Sequence, residues 1–442
     1  MMTASADAKT TNATSNHSVD VILSKAWAGA DVEPAVRSSD DEFLRRVTLD
    51  LIGRIPTIKE LATFRNSPDR SAKIDKLLDA TEFDRFQAEL WTSVLVGYGD
   101  QFEANREVLR RWLEERFRRR TAYNRIARTL ITAEGESAFS GPVNFLLRHP
   151  ETPVVKVSRV FLGVRLDCAR CHDHPFDRWT QKDFERMNRF FAATDRQEVS
   201  EGNIRLVNLV AEAEDEERPR FLTGATPRTS RWRDEFALFT TRSRPFARAF
   251  ANRLWYQLFG RGNVHPVDDF NRDNAAAVPE LTEHLADHAR KSGYDIRSML
   301  RLICTSRAYQ LTSRSAEQDA KRIRVFAART IRPLSPEQMA DSVGVAMGQK
   351  MSAAQRREFI EESTRGTLDE DSGETWAYRE TVQEVMLGLA MRLPSSADSI
   401  DNLFERVLTR LPTDQERRLC ANRQQADILF ALIHSNEFRF NH

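Results

Sequence analysis

Apolar residues recur three and four positions apart along most of this chain, and that spacing predicts helices rather than strands. From Asp40 to Ile52 it sets Phe43, Leu44, Val47, Leu51 and Ile52 on one face. Thr57 and Glu60, just after Pro56, make a capping box that starts the next helix. Helices are predicted from Ser67-Pro68 to near Ala80, from Phe83 to Tyr98, and over Glu107 to Ala133 as one long or two shorter segments. Thr152-Pro153 opens a helix through Leu166, with Val154, Val157, Val160, Phe161 and Val164 inward, and Thr180 to Ala192 is helical again. The period then changes. Gln197-Glu198-Val199 and Ile204 to Val210 alternate around Glu201-Gly202-Asn203, which predicts a small hairpin. Residues 211–240 turn acidic and then rich in Pro, Gly and Thr, as an interdomain crossing does. Helical spacing resumes over Phe246 to Phe259, Pro279 to Ser292, Ile296 to Tyr309, Ala320 to Thr330 and Pro336 to Met347, the last opened by Ser335, Pro336 and Gln338 as N-cap, first-turn proline and capping-box partner. Helices near 352–363, 374–391, 400–409 and 413–435 follow.

These elements predict a mostly α fold: two helical domains with a small β-hairpin insertion between them. Residues 1–17 read as a disordered tail, 18–210 as the first domain, 211–240 as the crossing and 241–442 as the second domain. A faint echo joins Arg54-Ile55-Pro56-Thr57 to Arg410-Leu411-Pro412-Thr413, each after a helix and before an acidic capping partner; it reads as two ordinary Pro-Thr helix starts.

A chain of 442 residues suits two or three domains. Charged residues are 30% of it and the net charge is +1, so no global field draws nucleic acid or anionic lipid. The Arg-rich stretch from Arg106 to Arg128 interleaves Trp112, Leu113, Phe117 and Tyr123, as nucleic-acid binders do. Glu107, Glu114 and Glu115 stand at helical spacing from those arginines, so a salt-bridged solvated face is the better reading, and no nucleic-acid partner is expected. No run of 18 apolar residues occurs, so no transmembrane segment is expected. The polar start MMTASADAKTTNATSNHS shows no signal peptide.

The chemistry concentrates in Cys168-Ala169-Arg170-Cys171-His172-Asp173-His174-Pro175. Its C-x-x-C-H spacing is the pattern for covalent attachment of haem c: two thiols three residues apart reach two vinyl groups, and the adjacent imidazole turns onto the iron. The same residues support other readings. Cys168, Cys171, His172 and His174 are a zinc-type ligand set, Cys168 and Cys171 alone are a redox dithiol, and all four side chains can simply pack. No second knuckle and no βαβ pattern favours zinc or a thioredoxin-like site. Under the haem reading His172 is the proximal ligand, and His149, Met187 and His174 are candidates for the sixth position. Asp173 and Asp177 are expected to hold imidazole N–H groups, and Trp179 to stack on a porphyrin or anchor the motif loop. Cys304 and Cys420 sit singly in apolar helical stretches and are expected to be buried core thiols.

A second candidate, a polar cleft, gathers Asn252, Arg253, Asp268, Asp269 and Arg307, with Trp255 and Tyr309 nearby in sequence. Such a set either binds a ligand or fixes loop geometry as buried ion pairs, and the second is the commoner outcome. No phosphate loop, dinucleotide glycine pattern, nucleophile elbow or H-E-x-x-H string occurs.

Several strings resemble the planctomycete-type bacterial proteins that carry paired DUF1549 and DUF1553 domains, the first also called cytochrome c-associated. They are Arg45-Arg46-Val47-Thr48-Leu49-Asp50-Leu51-Ile52-Gly53 with Pro56-Thr57, and Val160-Phe161-Leu162-Gly163-Val164-Arg165-Leu166-Asp167-Cys168 running on to Phe176-Asp177-Arg178-Trp179. Asn252-Arg253-Leu254-Trp255, Pro266-Val267-Asp268-Asp269-Phe270, Thr305-Ser306-Arg307-Ala308-Tyr309-Gln310-Leu311 and Asn436-Glu437-Phe438-Arg439-Phe440-Asn441-His442 continue it. The resemblance implies that 18–210 is DUF1549-like and 241–442 DUF1553-like. With the motif, it implies a c-type-haem-associated redox or electron-transfer protein of the bacterial cell envelope, periplasmic in location, with a redox or envelope protein as partner. The alternative is a non-haem Cys2His2-like metal site, holding zinc, or a scaffold with no cofactor, cytoplasmic if the haem reading fails.

Overall fold

The computed structural model describes residues 18–98, 104–174, 177–211, 218–314, 320–364 and 398–442. The tail expected over 1–17 and the helix expected over 374–391 lie outside them, as do Pro175, Phe176 and part of the expected crossing. The described chain is mostly helical, with two small antiparallel sheets.

The Asp40–Ile52 helix begins where the apolar spacing placed it, with the Ser39 hydroxyl capping the Glu42 N–H and Gly53 ending it in the left-handed region. Amphipathic spacing predicted one buried face, yet every residue from Glu42 to Ile52 is buried. The polar face is enclosed because its charges are satisfied by distant segments. Arg45 donates to the Val407 and Phe438 carbonyls, both at 3.0 Å. Arg46 donates to the Tyr309 and Leu311 carbonyls at 2.9 and 2.8 Å and pairs with Glu42 at 2.6 Å. Glu42 in turn accepts from the Thr312 hydroxyl at 2.7 Å and the Ser313 N–H at 2.8 Å. Asp50 accepts from the Tyr309 hydroxyl at 2.7 Å and Asn441 at 2.6 Å, and pairs with Arg332. Burial pushes the Arg45 guanidinium down to about 10, a sign of how completely water is removed.

One apolar core runs from Val19 to Ala327 and takes residues from both sides of 211–240. The crossing therefore divides the sequence without dividing the core. The packed helix Trp232–Arg242 overlaps the crossing's end, with Phe236 and Ala237 fully buried; a short apolar face is hidden there by polar composition on either side. A second core joins Met339, Phe359, Phe404, Leu429 and Phe438 to Leu49 and Ile55 from the first segment.

The expected hairpin is present as Thr194–Ser200 against Asn203–Asn208, with Gly135–Glu136 added along the second strand. Arg332–Pro333 pairs with Phe440–Asn441, a long-range ladder that no local period signals. The faint echo is a repeated device. Thr57 and Glu60, and again Thr413 and Glu416, form complete capping boxes. Arg54 reaches Glu60 at 2.8 Å and the Ile55 carbonyl at 3.1 Å, while Arg410 reaches Glu416 at 2.7 Å and the Leu411 carbonyl at 3.0 Å.

Asp50→Ala removes the carboxylate and leaves Arg332 buried without its counter-charge. It should lower stability by about 3–5 kcal/mol in denaturant unfolding. A loss under about 1 kcal/mol would show that the Asp50 pair is dispensable.

Candidate functional site

Two short devices bring the chain to the C-x-x-C-H turn. The helix opened by Pro153 runs Pro153–Val157, widens to a π-helical turn over Ser158–Leu162 and stops at Gly163. It does not continue to Leu166, as the valine spacing predicted. Gly163 has φ +67, and a Cβ there would stand 2.7 Å from the Phe270 ring, so a left-handed glycine ends the helix where the second family segment packs on it. The Phe270 N–H also donates to the Gly163 carbonyl at 2.8 Å. Four residues then lead to the 3-10 turn Cys168–Arg170.

On that turn the Cys171 and His172 N–H groups both point at the Cys168 carbonyl at 3.4 Å. Cys168, Cys171 and His172 are exposed, both thiols are free, and Ala169 is the buried residue that pins the turn. The His172 Nδ1 lies 2.8 Å from the Asp173 carbonyl. That contact makes Nδ1 the donor and leaves the lone pair on Nε2. The His172 Nδ1 is thus engaged by the Asp173 backbone. The Asp173 carboxylate instead accepts the Gln181 N–H at 2.9 Å, and Asp177 accepts the Arg178 N–H at 2.7 Å, because both acids sit where the loop has donors to satisfy. Trp179 is buried, its carbonyl accepts the His174 N–H at 2.8 Å, and Arg178 stacks 4.4 Å from its ring, so it anchors the motif loop.

Among the described residues no group of three or more His, Cys, Asp and Glu side chains is arranged to hold a metal ion, so Cys168, Cys171, His172 and His174 do not converge as a knuckle. The donor set suits haem c: two free, exposed thiols on one turn beside an exposed imidazole whose Nδ1 is already engaged by a backbone carbonyl. Of the sixth-ligand candidates, His149 gives its Nε2 to the Leu95 carbonyl at 2.9 Å, and burial holds it neutral, pushed down to about 3. Met187 is fully buried in the core.

The second candidate set splits. Asn252 clamps the 264–267 loop, donating to the Val264 carbonyl at 2.8 Å and accepting its N–H at 3.1 Å. Asp268, fully buried, receives Arg159 at 2.9 Å and Arg165 at 2.7 Å, both from the stretch leading to Cys168. Arg159 also lies 3.7 Å from Asp167, the residue before the turn. Asp269 accepts from Asn271 at 2.8 Å. Arg253 is buried beside Asp268, whereas Arg307 is exposed over the Trp27 ring at 5.2 Å and takes no part. Sequence reasoning missed Arg159 and Arg165, whose helical spacing gave no hint that their partner lies a hundred residues on.

A mostly helical chain with a surface C-x-x-C-H turn braced from its second half is the class that fold and site define. Residues 18–196 match the family model PSCyt2, described as a protein of unknown function (DUF1549), and residues 233–385 match PSD1, described as a protein of unknown function (DUF1553). The chain belongs to the proteins that carry this DUF1549–DUF1553 pair. No curated protein and no solved structure matches it. No helix among the described residues is long and apolar enough to cross a membrane.

The exposure of Cys168 and Cys171 predicts that a thiol reagent labels both in the native chain. Cys304, fully buried and pushed up to about 12 by that burial, should label only on unfolding. Native labelling of Cys304 with Cys168 protected would contradict the geometry. Asp268→Asn strips both arginines of their buried counter-charge and should lower stability by about 3–5 kcal/mol in urea unfolding, while an unchanged midpoint would mean that the pair is not formed.

Proposed function

We propose that this chain is a c-type-haem-associated redox or electron-transfer protein of the bacterial cell envelope, with Cys168 and Cys171 as the attachment thiols and His172 as the iron ligand. The observation that carries the reading is the contact of His172 Nδ1 with the Asp173 carbonyl. With Nδ1 held at 2.8 Å by the Asp173 carbonyl, Nε2 is free to ligate, on the same turn as two exposed, unpaired thiols. Among the described residues no group of His, Cys, Asp and Glu side chains is arranged to hold a metal ion, which favours this reading over a zinc knuckle.

A bound haem would supply a one-electron couple. The protein's part is to present and hold the attachment turn. Ala169 roots it in the core, the Asp173 carboxylate caps the backbone at Gln181, and Trp179 ties the far end of the loop through His174. An exposed turn suits electron exchange with a partner protein docked over it. The envelope location follows from the chemistry, because this kind of attachment is made on the outer side of the bacterial inner membrane.

Protein produced in a host with a c-type haem maturation system should keep its colour through acid–acetone extraction and give a thioether-type pyridine haemochrome. Cys168→Ala with Cys171→Ala should fold equally well and hold no covalent haem. Colourless wild-type protein from that host would refute the proposal.

A further inference from the structure

A cleft of about 660 Å³ opens where the two family segments meet, on elements other than those that carry the C-x-x-C-H turn. Arg37, Asp40, Asp69, Arg70 and Ser71 line it from the first segment, and Gln310 lines it from the second. Its volume falls in the range of small-molecule sites. Its walls are mostly polar, so an apolar ligand finds little to bury against.

Two guanidinium groups converge in this cleft. Arg37 Nη2 lies 3.4 Å and Arg70 Nη1 3.3 Å from one atom, the Gln310 Oε1. Both contacts are long, and the oxygen the two cations share belongs to a neutral amide. Burial lowers the Arg70 guanidinium from its ordinary value, and the like charge of Arg37 adds to that shift.

The charges around the cleft do not all satisfy one another. Arg70 is buried and pairs with Asp40 at 2.8 Å. Arg301, which reaches the Ser71 hydroxyl at 3.3 Å, pairs with Asp75 at 2.6 Å. Arg37 and Asp69 remain, both exposed, and among the described residues neither makes an ion pair, with the other or with any third group. Asp69 accepts the Ala72 N–H on Oδ1 at 2.9 Å, as the cap of the Arg70–Leu78 helix, and its Oδ2 takes no hydrogen bond among the described residues. A simple anion drawn to the two guanidiniums would meet the Asp69 charge, and a simple cation drawn to Asp69 would meet Arg37. A molecule that carries both signs suits both.

We propose that this cleft binds a small zwitterion of the amino-acid type, with its carboxylate on Arg37 and Arg70 and its ammonium on Asp69. A carboxylate gives the two cations a charged acceptor in place of the amide oxygen they share, and its two oxygens match the guanidinium fork. Gln310 comes from the second segment, so the site is complete only when both segments are packed together. The proposal goes beyond the haem reading and does not rest on it.

The test is thermal unfolding of the full chain at neutral pH with the common L-amino acids and β-alanine, each added singly to saturation. At least one should raise the melting temperature by about 1–2 °C. Its N-acetyl derivative, which lacks the ammonium, and its amide, which lacks the carboxylate, should not. Arg37→Gln removes an exposed charge, and Asp69→Asn keeps a side chain that caps the helix. Both variants should melt close to wild type and lose the increment. No increment from any of these compounds in wild type, an equal increment in either variant, or an equal increment from the N-acetyl derivative would overturn the proposal.

Discussion

The structure depends on the enclosure of one charged helix. In Asp40–Ile52 the residues Glu42, Arg45, Arg46 and Asp50 are all withdrawn from water, and each is hydrogen-bonded by segments 259 to 393 residues away. Removing such charges from water costs several kcal/mol per ion unless every lone pair and proton finds a partner. The geometry is therefore demanding. The 309–313 turn, the 332–333 strand, the end of the 400–408 helix and the last residues of the chain must all arrive together. The helix is accordingly a register device, fixing where the second family segment and the C-terminal helices meet the first.

The same logic recurs nearer the motif. Asp268, from the second segment, sits among basic side chains of the first, and two of these lie on the stretch that leads to Cys168. Gly163 lets Phe270 pack against that stretch at a point where any side chain would collide. The C-x-x-C-H turn is thus positioned by contacts with a segment a hundred residues away. This gives a physical reason for the two domains to occur in one chain: the first carries the thiols and imidazole, and the second braces the backbone that presents them.

Local physics made the elements legible. The Asp40–Ile52 helix, the capping boxes at Thr57 and Ser335, and the Thr194–Asn208 hairpin follow from spacing and turn chemistry that act within a few residues. The C-x-x-C-H turn was legible for the same reason. Long-range pairing was not. Nothing in the order of residues says that Asp50 meets Arg332, that Asp268 meets Arg159, or that Arg307 turns away to Trp27. The helix expected to reach Leu166 failed at Gly163 because the valine period continues through a residue whose conformation is set by Phe270. The crossing at 211–240 was read from composition, and composition cannot see that the core on either side is continuous.

That continuity is the central structural claim, and differential scanning calorimetry of the full chain tests it directly. Interlocked charges and two cores that each draw on both family segments predict a single transition whose calorimetric and van't Hoff enthalpies agree. Two separable transitions, one for each family segment, would contradict it and would leave the C-x-x-C-H turn without the brace described here.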